Sequence, residues 1–267
     1  MDTTTQGRLP FVSCLCPTFH RPQLLANALA CFLAQDYEGE SELIILDDGG
    51  DFPFTGEPEP DGTWPMRLLK TVNSRDVWLI SISRRYPSLP EKFNAIARQT
   101  TGQILLVWED DDIYLQHHIS SHVAALQASG AGYSKPSQVL STYPGHVVTE
   151  QAAGRFHASI GFTSDLFAKV RGWPLTRRAD FDQQFMSVLA NAANRTADPC
   201  QHAPPSYCFR YGSTQAYHGQ HFMQSPDDPD WYDRVPRQPG TGNLALHPKF
   251  DPETTAVYAR HAGIKVA

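Results

Sequence analysis

Residues 104–112 read Ile-Leu-Leu-Val-Trp-Glu-Asp-Asp-Asp, an apolar run that stops in four consecutive acids. A run of about five apolar residues fits a central strand covered on both faces. Open α/β sheets bind ligands at the carboxyl ends of such strands. Carboxylates crowded there repel one another, so a cation belongs among them. Carboxylate oxygens suit Mg²⁺ or Mn²⁺, and Mg²⁺ usually shares its shell with substrate phosphates. The competing reading is an acidic loop or a helix start, because 113–127 looks helical and acids favour that end. Acids stacked directly behind a buried strand favour the metal.

Two further strand ends in the first half carry candidate ligands: the Pro17-Thr18 turn after 11–16, and Asp47-Asp48-Gly49-Gly50 after 43–46. In a parallel sheet these ends share one edge with Glu109, Asp110, Asp111 and Asp112. Such an edge can grip a nucleotide, with carboxylates accepting from base or ribose and a metal bridging the diphosphate. Asp-Asp-Gly-Gly alone is equally compatible with a tight turn.

The elements that must place these residues follow from periodicity. Residues 11–16 read as a strand ended by Pro17. His20-Arg21-Pro22 opens a helix, since proline is tolerated in its first turn. Leu24, Leu25, Ala28, Leu29, Phe32 and Leu33 follow at helical spacing. Strands are expected at 43–46, 77–82 and 104–108, a Pro/Gly-rich loop at 51–66, and a helix at 89–100 closed by Thr101-Gly102. This β-α-β-loop-β-α-β order predicts a mostly parallel α/β sheet with right-handed crossovers. Beyond it, 132–148 holds a hairpin around Tyr143-Pro144-Gly145, 156–162 a strand, 164–170 and 181–191 helices, and 252–262 a last helix. From Pro199 onward long ordered loops are expected. His117-His118 is placed on the exposed face of its helix.

Composition bounds the rest. The chain has 267 residues, 41% hydrophobic and 19% charged, as a soluble globular protein does. No apolar stretch approaches about 18 residues, so no membrane span is expected. The polar start, 1–8, has no signal-peptide character. A net charge of −6 offers no general pull towards nucleic acid. Local arginine pairs, Arg84-Arg85 and Arg177-Arg178, could contact phosphate or simply be solvated. Five cysteines match no zinc spacing, and an odd count without an export signal points to reduced thiols in a cytoplasm.

Taken together, the stretches at 12–22, 42–50, 91–98 with Thr101-Gly102, and 107–113 resemble the family-2-type glycosyltransferases of GT-A fold. The resemblance covers residues 10–115 well and 155–220 more loosely. It implies one GT-A-like catalytic domain over 1–267: a nucleotide-sugar half at 10–115, an acceptor-side half at 116–225, and a C-terminal loop and helix at 226–267. It implies a donor that is a nucleotide-diphosphate sugar, with UDP the expected nucleotide and Mn²⁺ or Mg²⁺ the cofactor. Pro17 and Thr18 would line the nucleotide pocket, Asp48 would contact the base with Asp47 beside it, and Lys92 and Asn94 would sit on the nucleotide-side helix behind Glu91. The family's Asp-X-Asp motif falls within Glu109–Asp112, either as Asp110-X-Asp112 or as Glu109-X-Asp111. Asp110 and Asp112 are the expected metal ligands, with Asp110 and Asp111 also reaching the nucleotide. His218, in Tyr-His-Gly-Gln-His, would complete the metal shell. Asp180 stands where inverting members keep a catalytic base, although Ala179 replaces the usual glutamate; Asp182 is the second candidate, against a role as a helix N-terminal acid.

The reaction so implied is sugar transfer to an acceptor hydroxyl, whether of a saccharide, a protein, a lipid carrier or a modified nucleic acid. The stretch Phe156-His157-Ala-Ser-Ile-Gly161 and the aromatics Trp173, Trp231 and Tyr232 could form a sugar or base platform or fill a core, and 224–242 could order over the donor as a lid. A sugar-phosphate nucleotidyltransferase is the first alternative, weakened because the turn at 17–22 lacks glycine. A non-catalytic nucleotide-sugar-binding module is the second. A phosphodiesterase or metallo-hydrolase would need early histidine–aspartate clusters, and His20 stands alone among the early strand ends.

Overall fold

The structure is a computed structural model that describes residues 8–211, 232, 244 and 247–261. In chain order the elements are β1 (Val12–Thr18), α1 (Pro22–Leu33), β2 (Ser41–Asp47), β3 (Arg67–Val72), β4 (Arg75–Ser81), α2 (Leu89–Ala97), β5 (Ile104–Val107) and β6 (Ile113–Tyr114). There follow α3 (His118–Ser129), β7 (Tyr133–Ser134), β8 (Gln138–Tyr143), β9 (His146–Gln151), β10 (Gly161–Thr163), α4 (Ser164–Val170), α5 (Phe181–Ala192), β11 (Thr196–Ala197), β12 (Tyr207–Arg210) and α6 (Pro252–His261).

An eight-stranded sheet runs β11-β7-β10-β5-β1-β2-β4-β3. Its centre is parallel: β1 pairs with β2 and β5, and β2 pairs with β4. β10 enters antiparallel between β5 and β7. β1, β2 and β5 are buried at every position, as strands covered on both faces must be. A smaller sheet, β6-β12-β8-β9, is built from strands between 113 and 210. The register sets Thr18 beside Asp47 and Asp47 beside Ser81, and β5 ends opposite Leu15. The three expected strand ends therefore do share one edge.

Several expectations needed correction. β1 continues through Pro17 to Thr18, because Pro17 lies past the last β5 partner and one flank is open there. The helix expected across 113–127 begins only at His118; Ile113 and Tyr114 instead pair with Cys208 and Tyr207 of β12, some ninety positions along the chain. The acids at 109–112 thus precede a buried strand, and the helix-start reading fails. β3 was missed because it is an exposed antiparallel edge without apolar alternation. At 156–162 the left-handed backbone of Phe156 (φ 62°) turns the chain, and only Gly161–Thr163 pairs as a strand. His118 is fully buried, with Nδ1 2.9 Å from Ser206 Oγ, so only His117 of that pair keeps partial exposure. The hairpin at Tyr143-Pro144-Gly145 and the helices at 164–170 and near 181–191 formed as expected. Among the described residues no helix is long and apolar enough to cross a membrane.

Buried Gln35 ties the helix before β2 to the chain that leaves the acid run. Its Nε2 donates to the carbonyls of Cys31 (3.0 Å) and Leu115 (2.9 Å), and its Oε1 accepts from Ile119 N (3.0 Å). Gln35→Leu would strand the Ile119 amide away from water and leave the Leu115 carbonyl with His118 N alone. It should cost about 1–3 kcal/mol, read as a lowered urea midpoint at unchanged slope; a midpoint within error of the parent would contradict this account.

Candidate functional site

The site is assembled from the carboxyl ends of β1, β2 and β5 and the starts of two helices. Ser88 caps α2 by accepting from Glu91 N, and its hydroxyl donates to Glu91 Oε1 (3.0 Å), a reciprocal cap that fixes where the helix begins. Lys92, one residue later, is 2% exposed and points back under the sheet edge. Its Nζ pairs with Asp48 Oδ1 and donates to Thr18 O, each at 2.5 Å. Asp48 Oδ2 accepts from Tyr86 N (2.9 Å) and lies 3.5 Å from the Tyr232 hydroxyl. Arg85 stacks between the rings of Phe19 and Tyr232, 4.0 Å from each centroid. Next to this edge a cavity of about 360 Å³ is lined by Phe54, Trp64, Arg84, Arg85, Tyr86 and Glu91, among others.

Asp47 differs from its neighbour. Its carboxylate accepts from the amides of Gly49 (2.9 Å), Asp51 (2.9 Å) and Phe52 (3.3 Å) and from Ser81 Oγ (3.0 Å). Burial raises its pKa against those bonds. It shapes the 48–52 turn and presents no lone pair outward. Asn94 is likewise engaged: its amide pairs with both backbone groups of Trp173, at 2.9 and 3.0 Å.

The acid run divides in two. Asp110 turns towards β1 and α1, accepting from Thr18 Oγ1 (2.7 Å) and pairing with Arg21 at 2.6 Å. Glu109, Asp111 and Asp112 each offer an oxygen such that the three lie within 4.8 Å of one another. Arg21 Nη1 reaches Asp111 Oδ2 at 2.9 Å. Asp112 accepts from the Tyr207 hydroxyl (2.5 Å) and Arg210 N (3.2 Å). Glu109 Oε1 lies 3.0 Å from His157 Nδ1.

Burial raises the pKa of Asp110 to about 6 despite Arg21. Burial, reinforced by the neighbouring carboxylates, lifts Glu109 and Asp112 well above the ordinary range. Burial also lowers His157 to about 4, so this imidazole is neutral at pH 7. Convergent hard oxygen donors with a charge surplus suit Mg²⁺ or Mn²⁺, and Glu109, Asp111 and Asp112 are the residues placed to hold one.

The two candidate bases are separated by their surroundings. Asp180 precedes α5, forms ion pairs with Arg178 at 2.9 Å and accepts from Gln184 at 2.9 Å; the Arg178 hydrogen bond lowers its pKa. Asp182 is raised by burial, and its charge acts directly on Glu109 and His157. Trp173 is 2% exposed and packed among Phe93, Phe162 and Phe185, which makes it core rather than an acceptor platform. His218, Trp231 and all of 224–242 save Tyr232 lie outside the described residues. The sequence pattern singles out neither Arg21, Tyr86 nor Tyr207 for the site, and it offers His157 only as part of an acceptor platform or core, whereas His157 faces Glu109. For Arg21 a signal existed, a lone cation in the turn after the first strand, facing the acids. Tyr207 reaches Asp112 only through the pairing of β12 with β6.

No model of a known protein family matches the chain, and no curated protein matches it in sequence. Solved structures do share its fold. S. aureus TarS 1-349 in complex with UDP-GlcNAc superposes with a TM-score of 0.60 at 15% identity, covering 83% of this chain and 63% of that one. The mannosyltransferase PcManGT from Pyrobaculum calidifontis, in complex with GDP-Man and Mn²⁺, gives 0.52 at 16% identity, covering 77% of this chain and 57% of that one. The chain thus spans about three fifths of each of these structures. Its fold is that of GT-A-type glycosyltransferases.

A carboxyl whose folded pKa exceeds its unfolded value makes the folded state hold more protons, so stability falls as pH rises between the two values. For Asp110 that window runs from 3.8 to about 6. In chelator, the melting temperature of Asp110→Asn should therefore fall less steeply across this window than that of the parent. Equal slopes would show that Asp110 does not titrate there.

Proposed function

We propose that this chain is a metal-dependent glycosyltransferase that moves a sugar from a nucleotide-diphosphate donor to an acceptor hydroxyl. The observation that carries the proposal is the convergence of Glu109, Asp111 and Asp112 beside the Asp48–Lys92 pair, on one carboxyl edge of the sheet. The likeness to TarS with UDP-GlcNAc and to PcManGT with GDP-Man and Mn²⁺ supports the same reading. UDP is the first donor nucleotide to test.

In this reading Glu109-X-Asp111 is the Asp-X-Asp register, and Asp112 joins it as a ligand. Bound there, a divalent ion supplies Lewis-acid stabilisation of the departing diphosphate. Asp110 orders the β1 turn through Thr18 and Arg21 instead of coordinating. Asp48 accepts from the base, and Lys92 fixes the direction of its carboxylate. Pro17 and Thr18 form the floor of the nucleotide pocket. Asp47 and Asn94 serve by holding the walls of the site. Arg21 neutralises part of the acid charge while the donor is absent.

Asp182 is the better general base. A half-buried carboxylate whose pKa is raised by desolvation accepts a proton more readily than one held low by an arginine, and the action of its charge on Glu109 supports a role beside the acids. Deprotonating the acceptor opposite the leaving diphosphate gives single displacement with inversion. His218 remains the proposed additional metal ligand. We read 1–267 as one catalytic unit, with 10–115 binding the donor, 116–225 facing the acceptor and 226–267 closing the chain. Its buried unpaired cysteines fit a reducing cytoplasm.

Thermal stability measured against UDP-, GDP-, CDP- and dTDP-sugars, with and without Mn²⁺, tests the donor site, because a ligand that binds only the folded state must raise the melting temperature. We expect a Mn²⁺-dependent rise with one nucleotide, abolished in Asp111→Asn and Asp112→Ala. A rise with nucleoside triphosphates alone would favour a nucleotidyltransferase. With the donor known, Asp182→Asn should lower kcat by about 10²- to 10⁴-fold at little change in donor KM, whereas Asp180→Asn should stay within about tenfold. The reverse ranking would restore Asp180 as the base.

A further inference from the structure

We propose that His157, held in a single tautomer by Trp173, is the positioning residue that aims Glu109 at the cation; this rests on the reading of Glu109, Asp111 and Asp112 as a metal site. His157 is 3% exposed and lies in an aromatic cluster with Phe93, Trp173, Phe181 and Phe185. An apolar ring would fill that space without a polar atom to satisfy. The imidazole instead makes a bond at each nitrogen.

Those two bonds decide its proton. Trp173 Nε1 lies 3.0 Å from His157 Nε2, and an indole N–H can only donate. Nε2 must therefore carry the lone pair. A neutral imidazole then has its proton on Nδ1, which faces Glu109 Oε1 at 3.0 Å. The other tautomer would set N–H against N–H on one side and a lone pair against the carboxylate on the other. The Trp173 donor thus turns His157 into an obligate donor to Glu109.

Trp173 is itself fixed. Asn94 pairs with both of its backbone groups, and its ring stacks on Phe93 (4.9 Å) and Phe185 (4.0 Å). Gly172 adopts φ 84° there, and a Cβ on it would fall 2.3 Å from Asn94 Oδ1. The chain Asn94–Trp173–His157–Glu109 so carries the rigidity of α2 and α5 to one carboxylate. Partners that orient a ligating group this way typically contribute about 10- to 100-fold in metal affinity.

Calorimetric titration with Mn²⁺ alone, on the full chain, tests this. An asparagine amide superposes its nitrogen on imidazole Nδ1 and keeps a donor to Glu109, whereas leucine keeps only bulk. We expect His157→Leu to weaken Mn²⁺ binding by about 10- to 100-fold, His157→Asn to stay within about threefold of the parent, and Trp173→Phe, which keeps an aromatic ring but removes the N–H together with part of the ring, to fall between. Parent-like affinity in His157→Leu would overturn the proposal. Equal losses in the Leu and Asn variants would reduce His157 to packing, and parent-like affinity in Trp173→Phe would overturn the tautomer lock. If the parent bound Mn²⁺ no better than Asp111→Asn, the metal reading would fall and this one with it.

Discussion

The constraint on which the rest depends is the confinement of Glu109, Asp110, Asp111 and Asp112 at the end of a fully buried strand. All four are sheltered from water to a degree that raises the carboxyl pKa values resolved there. Like charges in low dielectric are tolerable only when each finds donors or a cation. The surrounding elements answer that demand one by one. The start of α1 contributes Arg21, β1 contributes Thr18, β12 contributes the Tyr207 hydroxyl and a backbone amide, and the turn at 156–159 contributes His157. These partners come from positions 18 to 210, so the arrangement links distant parts of the chain around one charge problem.

The same edge shows how identical residue types take different roles. Asp47 and Asp48 are adjacent, yet one closes a turn with its own following amides while the other pairs with a buried lysine from α2. Alternation along the chain end sends their side chains to different sides. The acid run divides in the same manner: Asp110 faces α1, and its neighbours converge on a common point. A chemical reading of such motifs therefore needs the direction of each side chain as well as its identity.

The segment from 156 to 192 works mainly through packing. Its aromatic cluster fixes the start of α5, and with it the difference between Asp180, drawn to Arg178, and Asp182, whose pKa desolvation raises and whose charge acts on Glu109. The low identity to structures of the same fold is consistent with this division of labour. A parallel core tolerates exchange among apolar residues of similar volume, while the polar groups at its edge are few.

Local pattern was enough for the central sheet. The apolar runs that became β1, β2, β4 and β5, the proline-led α1, the capped α2 and the placement of the acids at strand ends all follow from short-range rules of burial, period and capping. Those rules act between residues a few positions apart, and they also brought Thr18, Asp48, Lys92 and the acid run to one edge. Pairings across long sequence separations were decided only in three dimensions. Ile113-Tyr114 became a strand because β12 lies beside it, and β3 formed as an exposed edge that no periodicity marks. His118 and Trp173 were drawn into the core, and His157 was joined to Glu109, by contacts that no local window contains. Which of four consecutive acids converge is likewise a matter of backbone direction after the strand ends, and that direction depends on Arg21 and Gln35 at the two ends of α1 and on Tyr207 of β12.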